Sequence, residues 1–125
     1  MARRKADPEW FEIPPFPIPI YKGKVLLCCD RDEWASVAEA YDSDPDSWGC
    51  KGLSIRHITP EEGRTYVMAV FDGTIGTFVH ELSHVCFHLL GDVGIPLEDG
   101  AGNEAFAYLI GHLMHEILPS FLARL

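Results

Sequence analysis

The chain has 125 residues and a formal net charge of −9 at pH 7, with 19 acidic against 10 basic side chains. Its length and its 47% hydrophobic content suit one domain with a modest core, which excludes a fibrous or wholly disordered protein. Three of the ten basic residues lie together at residues 3–5, so the rest of the chain is more acidic still. Nucleic-acid binding is therefore not expected, because it needs a clustered basic face.

The first residues, MARRKADPEW, lack the apolar core of a secretory signal, and no apolar run approaches the ~20 residues that a membrane span requires. The four cysteines, Cys28, Cys29, Cys50 and Cys86, form no CxxC pair. We therefore expect free thiols in a reducing, cytoplasmic setting, with Cys28 and Cys86 as small core residues and no contact with membranes.

Residues 1–23 are predicted to form an extended N-terminal arm. Within them the stretch PEWFEIPPFPIPI, residues 8–20, alternates prolines with aromatic residues and isoleucines. Proline lacks the amide proton that a helix needs, so the segment favours an extended conformation. Its apolar side chains suggest packing against the domain, and contact with a protein partner is the alternative.

Residues 24–125 are predicted to form one α+β domain with the order β-α-β-β-α-α. Apolar runs predict strands at residues 24–29, 53–58 and 64–71, and helical periodicity with capping residues predicts three helices. The helices are expected from a cap at Asp30 or Asp32 to Tyr41, from Thr74 to Leu90 before Gly91, and from Asn103 to Leu118 before Pro119.

The second predicted helix carries HELSHVCFH, residues 80–88, in which His80, Glu81 and His84 form the pattern HExxH. Residues four apart on a helix lie about 40° apart around its axis and ~6 Å along it, so both imidazoles can bind one ion. Zinc accepts imidazole nitrogens, and a catalytic zinc site has three protein ligands and a water. Glu81 would then act as the general base for that water.

His88 is not expected to be a third ligand. It lies eight residues after His80, a rise of ~12 Å on a straight helix, whereas both would need bonds of ~2 Å to the same ion. The metzincin pattern HExxHxxGxxH breaks the helix with glycine, but Phe87 and Leu90 occupy its glycine and last histidine positions.

Glu104 is the predicted third ligand. It lies near the start of the last predicted helix, in GNEAFAYLIG, 20 positions after His84. That spacing allows the first helix to end, the chain to reverse and a second helix to return alongside. Two histidines and a carboxylate would leave a fourth position open for water, as in hydrolytic zinc sites.

HELSH followed by NEAFAYLIG resembles the gluzincin superfamily of zinc metallopeptidases, and the chain also looks like the small minigluzincin, SprT-like and ImmA/IrrE-type proteins. The resemblance implies a minimal zincin-like fold, in which a small mixed sheet packs on an active-site helix and a glutamate helix. It also implies zinc held by His80, His84 and Glu104, with Glu81 as base in the hydrolysis of a protein or peptide substrate. The strand just before the active-site helix, RTYVMAVF, would bind that substrate.

This sequence departs from the thermolysin-like pattern at Tyr108, which stands where those enzymes have an aspartate that orients a zinc histidine. Asp72, Asp99 or a backbone carbonyl would have to supply that support. Tyr108 and His112, on roughly the same helix face as Glu104, are candidate transition-state donors.

Two other functions are compatible with the sequence. One is a deformylase-like metal hydrolase in which Cys50 joins the two histidines. The other is a non-catalytic binding or assembly module that retains a zincin core and uses the proline-rich arm to contact a partner.

Overall fold

A mixed sheet of four strands forms the centre of the fold in the computed structural model, which describes residues 13–61, 63–97 and 101–125. The elements in chain order are β1 Phe16–Pro17, β2 Lys24–Cys28, α1 Arg31–Ala40, β3 Gly52–Thr59, β4 Gly63–Val70, α2 Ile75–Asp92 and α3 Ala101–Ala123. This confirms the α+β class and the predicted order of elements, to which the structure adds the short strand β1.

The strands lie in the order β1-β2-β4-β3, so β4 is central and β3 forms one edge. β2 and β4 are parallel and are buried along almost their whole length, as expected of strands covered on both faces. β1 pairs antiparallel with β2, and β3 pairs antiparallel with β4. Because β3 is only partly buried, its sequence is less uniformly apolar than that of β4.

Alternate residues of the sheet face two separate cores. One face, including Leu27, Tyr66 and Met68, packs against the apolar sides of α2 and α3. The other face, including Leu26 and Val67, packs against α1. The helix that carries the histidines therefore lies on one side of the sheet, and α1 lies on the other.

The described part of the N-terminal arm, residues 13–23, packs on the domain. Ile13 and Ile18 are buried, and β1 extends the sheet beside β2. The guanidinium of Arg64 donates to the carbonyl oxygens of Tyr21 and Lys22, which ties the turn after β1 to β4. The predicted partner contact of the arm also involves residues 1–12, which lie outside the described residues.

The ends of the last two helices differ from the prediction. α2 continues through Gly91 to Asp92, where Arg56 and the Tyr66 hydroxyl bind the Asp92 carboxylate. α3 continues through Pro119 to Ala123, although proline cannot donate a helical hydrogen bond. Tertiary burial offsets this loss, because Phe121 is 1% exposed and its ring lies 4.9 Å from that of Phe78.

All four cysteines are described and are free thiols, and Cys28 and Cys86 are buried. Burial raises the pKa of the Cys86 thiol to about 12 and raises that of Cys28 further, so both act as small core residues. Among the described residues, each helix is too short or too polar to cross a membrane.

The turn of α3 after Pro119 should contribute strongly to stability. Phe121→Ala is expected to lower the free energy of unfolding by about 3–5 kcal/mol, because it leaves a cavity against Phe78. The neighbouring Leu122→Ala, at a side chain that is 45% exposed, should cost less than about 1 kcal/mol. Urea denaturation of both variants tests this, and equal losses would contradict the packing role of Phe121.

Candidate metal centre

The two histidines of the HExxH pattern lie together on α2. Thr74 caps this helix, since its hydroxyl accepts the backbone N–H of Thr77, and no break occurs between Ile75 and Asp92. The Nε2 atoms of His80 and His84 are 3.2 Å apart, and their ring planes are inclined by 82°. The predicted convergence of the two imidazoles is therefore present in the structure.

This separation fits two ligands of one tetrahedral ion. Two nitrogens at zinc bond lengths of about 2.0–2.1 Å and a tetrahedral angle would lie about 3.3 Å apart. The His80 side chain is 66% exposed, so the pair opens to solvent. Together, the nitrogen separation and the access from solvent suit a divalent ion.

Glu81 is buried beside the histidine pair. Its side chain is 8% exposed, and its Oε2 lies 4.0 Å from His80 Nε2. The Ser54 hydroxyl donates a hydrogen bond to this carboxylate from β3. Burial raises the pKa of the Glu81 carboxyl above its ordinary value, while His80, His84 and Ser54 act in the opposite direction.

Gly52 allows α2 to approach β3 closely. A Cβ at this position would lie 2.7 Å from both the Ala69 carbonyl oxygen and the Thr77 Cγ2, and 3.0 Å from the Glu81 Cγ. The missing side chain therefore makes room for Glu81 at the start of the edge strand. Sequence reasoning missed Gly52 and Ser54, although two small residues on one face of an apolar strand are a signal of close approach.

His88 lies one turn beyond His84, with its ring centroid 6.2 Å from that of His84. α2 remains helical past His88 to Asp92, so the straight helix on which the exclusion of His88 as a ligand depends is present. His88 therefore neighbours the pair without entering it.

Glu104 lies exposed in the first turn of α3. Phe106, two residues later, stacks on Phe87 of α2 at a centroid distance of 5.1 Å and an interplanar angle of 15°. Residues two apart on a helix lie about 200° apart around its axis, so Glu104 is on the face of α3 away from this contact. Among the described residues, no three His, Cys, Asp or Glu side chains form a group that could hold a metal.

The structure thus brings His80, His84 and Glu81 together and leaves Glu104 apart from them. The assignment of Glu104 as third ligand stays a prediction. The alternative ligand Cys50 also stays a prediction. Among the described residues it belongs to no group that could hold a metal, and its N–H donates to the Ser47 carbonyl in a turn.

The predicted supporting and donor residues have other surroundings in the structure. Asp72 accepts hydrogen bonds from both Thr74 and Thr77 at the start of α2, and these bonds lower its pKa. Tyr108 is 78% exposed, and His112 Nε2 lies 3.8 Å from Glu116 Oε1 on the same helix, α3. Asp99 lies outside the described residues.

The predicted substrate strand RTYVMAVF is in the wrong place for that role. Most of it forms β4, which pairs with β2 on one side and β3 on the other. Its backbone groups are thus occupied by the sheet. The strand that presents an edge beside Glu81 is β3.

Comparisons of the whole chain with models of protein families, with curated proteins and with solved structures find no significant match.

The histidine pair should determine zinc affinity. His80→Ala and His84→Ala are each expected to weaken binding by on the order of 100-fold or more, since even supporting residues of a metal site contribute 10- to 100-fold. His88→Ala should change affinity by less than about 3-fold, because a residue that makes no metal bond or supporting hydrogen bond contributes little. Calorimetric titration of zinc measures all three, and a loss in His88→Ala equal to the others would contradict the assignment.

The third ligand can be identified in the same way. If Glu104 binds the ion, Glu104→Ala lowers the zinc content of the purified protein, while Cys50→Ala leaves it unchanged. Glu116→Ala is the matched control, because Glu116 is a carboxylate on the same helix that pairs with His112. Elemental analysis gives the zinc content, and the opposite ranking of Glu104→Ala and Cys50→Ala would favour the cysteine.

Proposed function

We propose that the protein is a zinc-dependent peptide hydrolase of minimal zincin-like fold. The observation that carries this proposal is the joint placement of His80, His84 and Glu81, with two nitrogens at a ligand separation and a carboxylate beside them. His80, His84 and Glu104 would hold the ion. When bound, the ion would supply Lewis-acid polarisation and make a water molecule more acidic.

Glu81 is suited to take a proton near such an ion. Its carboxylate is held by the hydrogen bond from Ser54, and its Oε2 lies 4.0 Å from His80 Nε2. Burial raises its pKa, which strengthens it as a base relative to an exposed glutamate. Glu81 would take a proton from the water molecule that attacks the carbonyl carbon, and would pass it to the amine as the C–N bond breaks.

The open edge of β3 favours a peptide as the substrate. Phe71 N–H donates to the Lys51 carbonyl, so Lys51 and Phe71 form a hydrogen-bonded pair across β3 and β4. Because bonding alternates along an antiparallel pair, the backbone groups of residues 52, 54, 56 and 58 point to the open edge. An extended peptide could add to this edge as a further strand, beside Glu81.

A second candidate is a non-catalytic module that binds a protein partner. It is favoured by the position of Glu104, which lies on the exposed face of α3 and leaves two histidines without a third ligand among the described residues. A site with two protein ligands would bind an ion weakly and could serve a regulatory or structural purpose.

Glu81→Gln separates the two candidates. This change should keep the zinc content of the protein and lower peptide hydrolysis by about 100-fold or more, because it removes the base. Fluorogenic peptide cleavage, with and without a chelator, measures activity, and Glu116→Gln is the control for loss of a carboxylate elsewhere. Equal activity in Glu81→Gln would exclude this mechanism, and an inactive wild type with zinc bound would favour the binding module.

A further inference from the structure

The most exposed large aromatic side chain among the described residues is Trp48, which is 90% exposed. It lies in a β-turn closed by the bond from Cys50 N–H to the Ser47 carbonyl. Gly49 has φ 79°, the positive value that the third residue of a type II turn requires. The turn therefore presents the indole at its tip.

The loop that carries Trp48 is held by side chains at several points. The Arg31 guanidinium donates to the carbonyl oxygens of Ser47 and Cys50 and to the Ser47 hydroxyl. The Asp46 carboxylate accepts the Trp48 N–H, in the manner of an Asx turn. These hydrogen bonds hold the loop in the conformation that exposes the indole.

Acidic side chains surround the indole in sequence. Asp42, Asp44 and Asp46 are exposed, and residues 42–50 include no lysine or arginine. Lys51 follows the loop and the Arg31 guanidinium binds its backbone, so the three carboxylates outnumber the two cations at this loop. An indole face attracts a cation, and nearby carboxylates strengthen that attraction. An apolar partner would instead desolvate these carboxylates at a cost, so the charges favour a cationic one.

The loop leads directly into the open edge of the sheet. Trp48 lies four residues before Gly52, so their Cα atoms are at most about 14 Å apart along the chain. A peptide on the edge of β3 that continues in extended form by about four residues past Gly52 spans this distance. The same peptide would pass Ser54 and Glu81 on its way.

We propose that Trp48 and the carboxylates of Asp44 and Asp46 bind a lysine or arginine side chain of an extended peptide lying along β3. This inference rests on the proposed function, because it assigns a substrate class to that site: peptides with a basic residue beyond the segment next to Glu81. Trp48 contributes the face of its ring, and the carboxylates contribute charge.

Two labelled peptides test the proposal. They are identical except that the lysines of one are glutamines in the other, and fluorescence anisotropy measures their binding to the full zinc-loaded chain carrying Glu81→Gln. Trp48→Ala is expected to weaken binding of the lysine peptide by about 5-fold, and Trp48→Phe by less, as ring size predicts for a cation–π contact. Asp44→Asn with Asp46→Asn retains the Asx acceptors and should reduce the salt dependence of binding.

Ile20→Ala is the matched control, since Ile20 is 89% exposed in the turn beside the opposite edge strand, β1. It should leave affinity for the lysine peptide unchanged. Two results would overturn the proposal. One is equal affinity of the two peptides for the Glu81→Gln chain that retains Trp48, and the other is unchanged affinity for the lysine peptide when Trp48→Ala is added to that chain.

Cleavage of the lysine peptide by the protein with Glu81 intact is scored separately. Binding that depends on Trp48 without any cleavage supports the peptide site and counts against the hydrolase. Cleavage that is unaffected in Trp48→Ala supports the hydrolase and overturns the role of Trp48.

Discussion

The close approach of α2 to β3 at Gly52 is the constraint on which the candidate site depends. Any side chain at this position would meet the backbone of Ala69 and the side chains of Thr77 and Glu81 at 3.0 Å or less. With glycine there, α2 lies against the edge of the sheet and its buried side includes a carboxylate. One turn of helix then presents His80 and His84 to solvent and Glu81 to Ser54. The separation of the proposed ligands from the proposed base thus follows from how the helix packs on the sheet.

Glu81 is a buried carboxylate, and packing alone does not explain its presence. Burying a carboxylate costs free energy unless it is paired, and this burial raises the pKa of Glu81. A hydrogen bond from Ser54 and the nearby histidines offset part of it. A carboxyl with a raised pKa beside two converging imidazoles is the pattern expected where protons are transferred.

Local patterns predicted the elements and the histidine pair, because helical spacing and strand periodicity are encoded in neighbouring residues. The rest depends on contacts between distant segments. The family resemblance implied that RTYVMAVF, most of which forms β4, would bind substrate, but β4 is central because β2 pairs with it in parallel. The end of α3 depends on Phe121 meeting Phe78, which no local rule for Pro119 can anticipate. The rotation of α3 about its axis, which decides where Glu104 lies, is likewise set by packing across the core.

That rotation also limits how Glu104 could join the histidines. Leu109, Leu113, Ile117 and Phe121 are all buried on one side of α3, and each such burial is worth about 1.5–3 kcal/mol. Turning the whole helix would expose all of them, at a cost approaching the roughly 10–16 kcal/mol that structural zinc contributes in small domains. Adjustment confined to the first turn leaves these four side chains in place, because the nearest of them follows Glu104 by more than one turn. The energetics therefore assign any ligand role of Glu104 to the first turn alone, with the remainder of α3 acting as a fixed support.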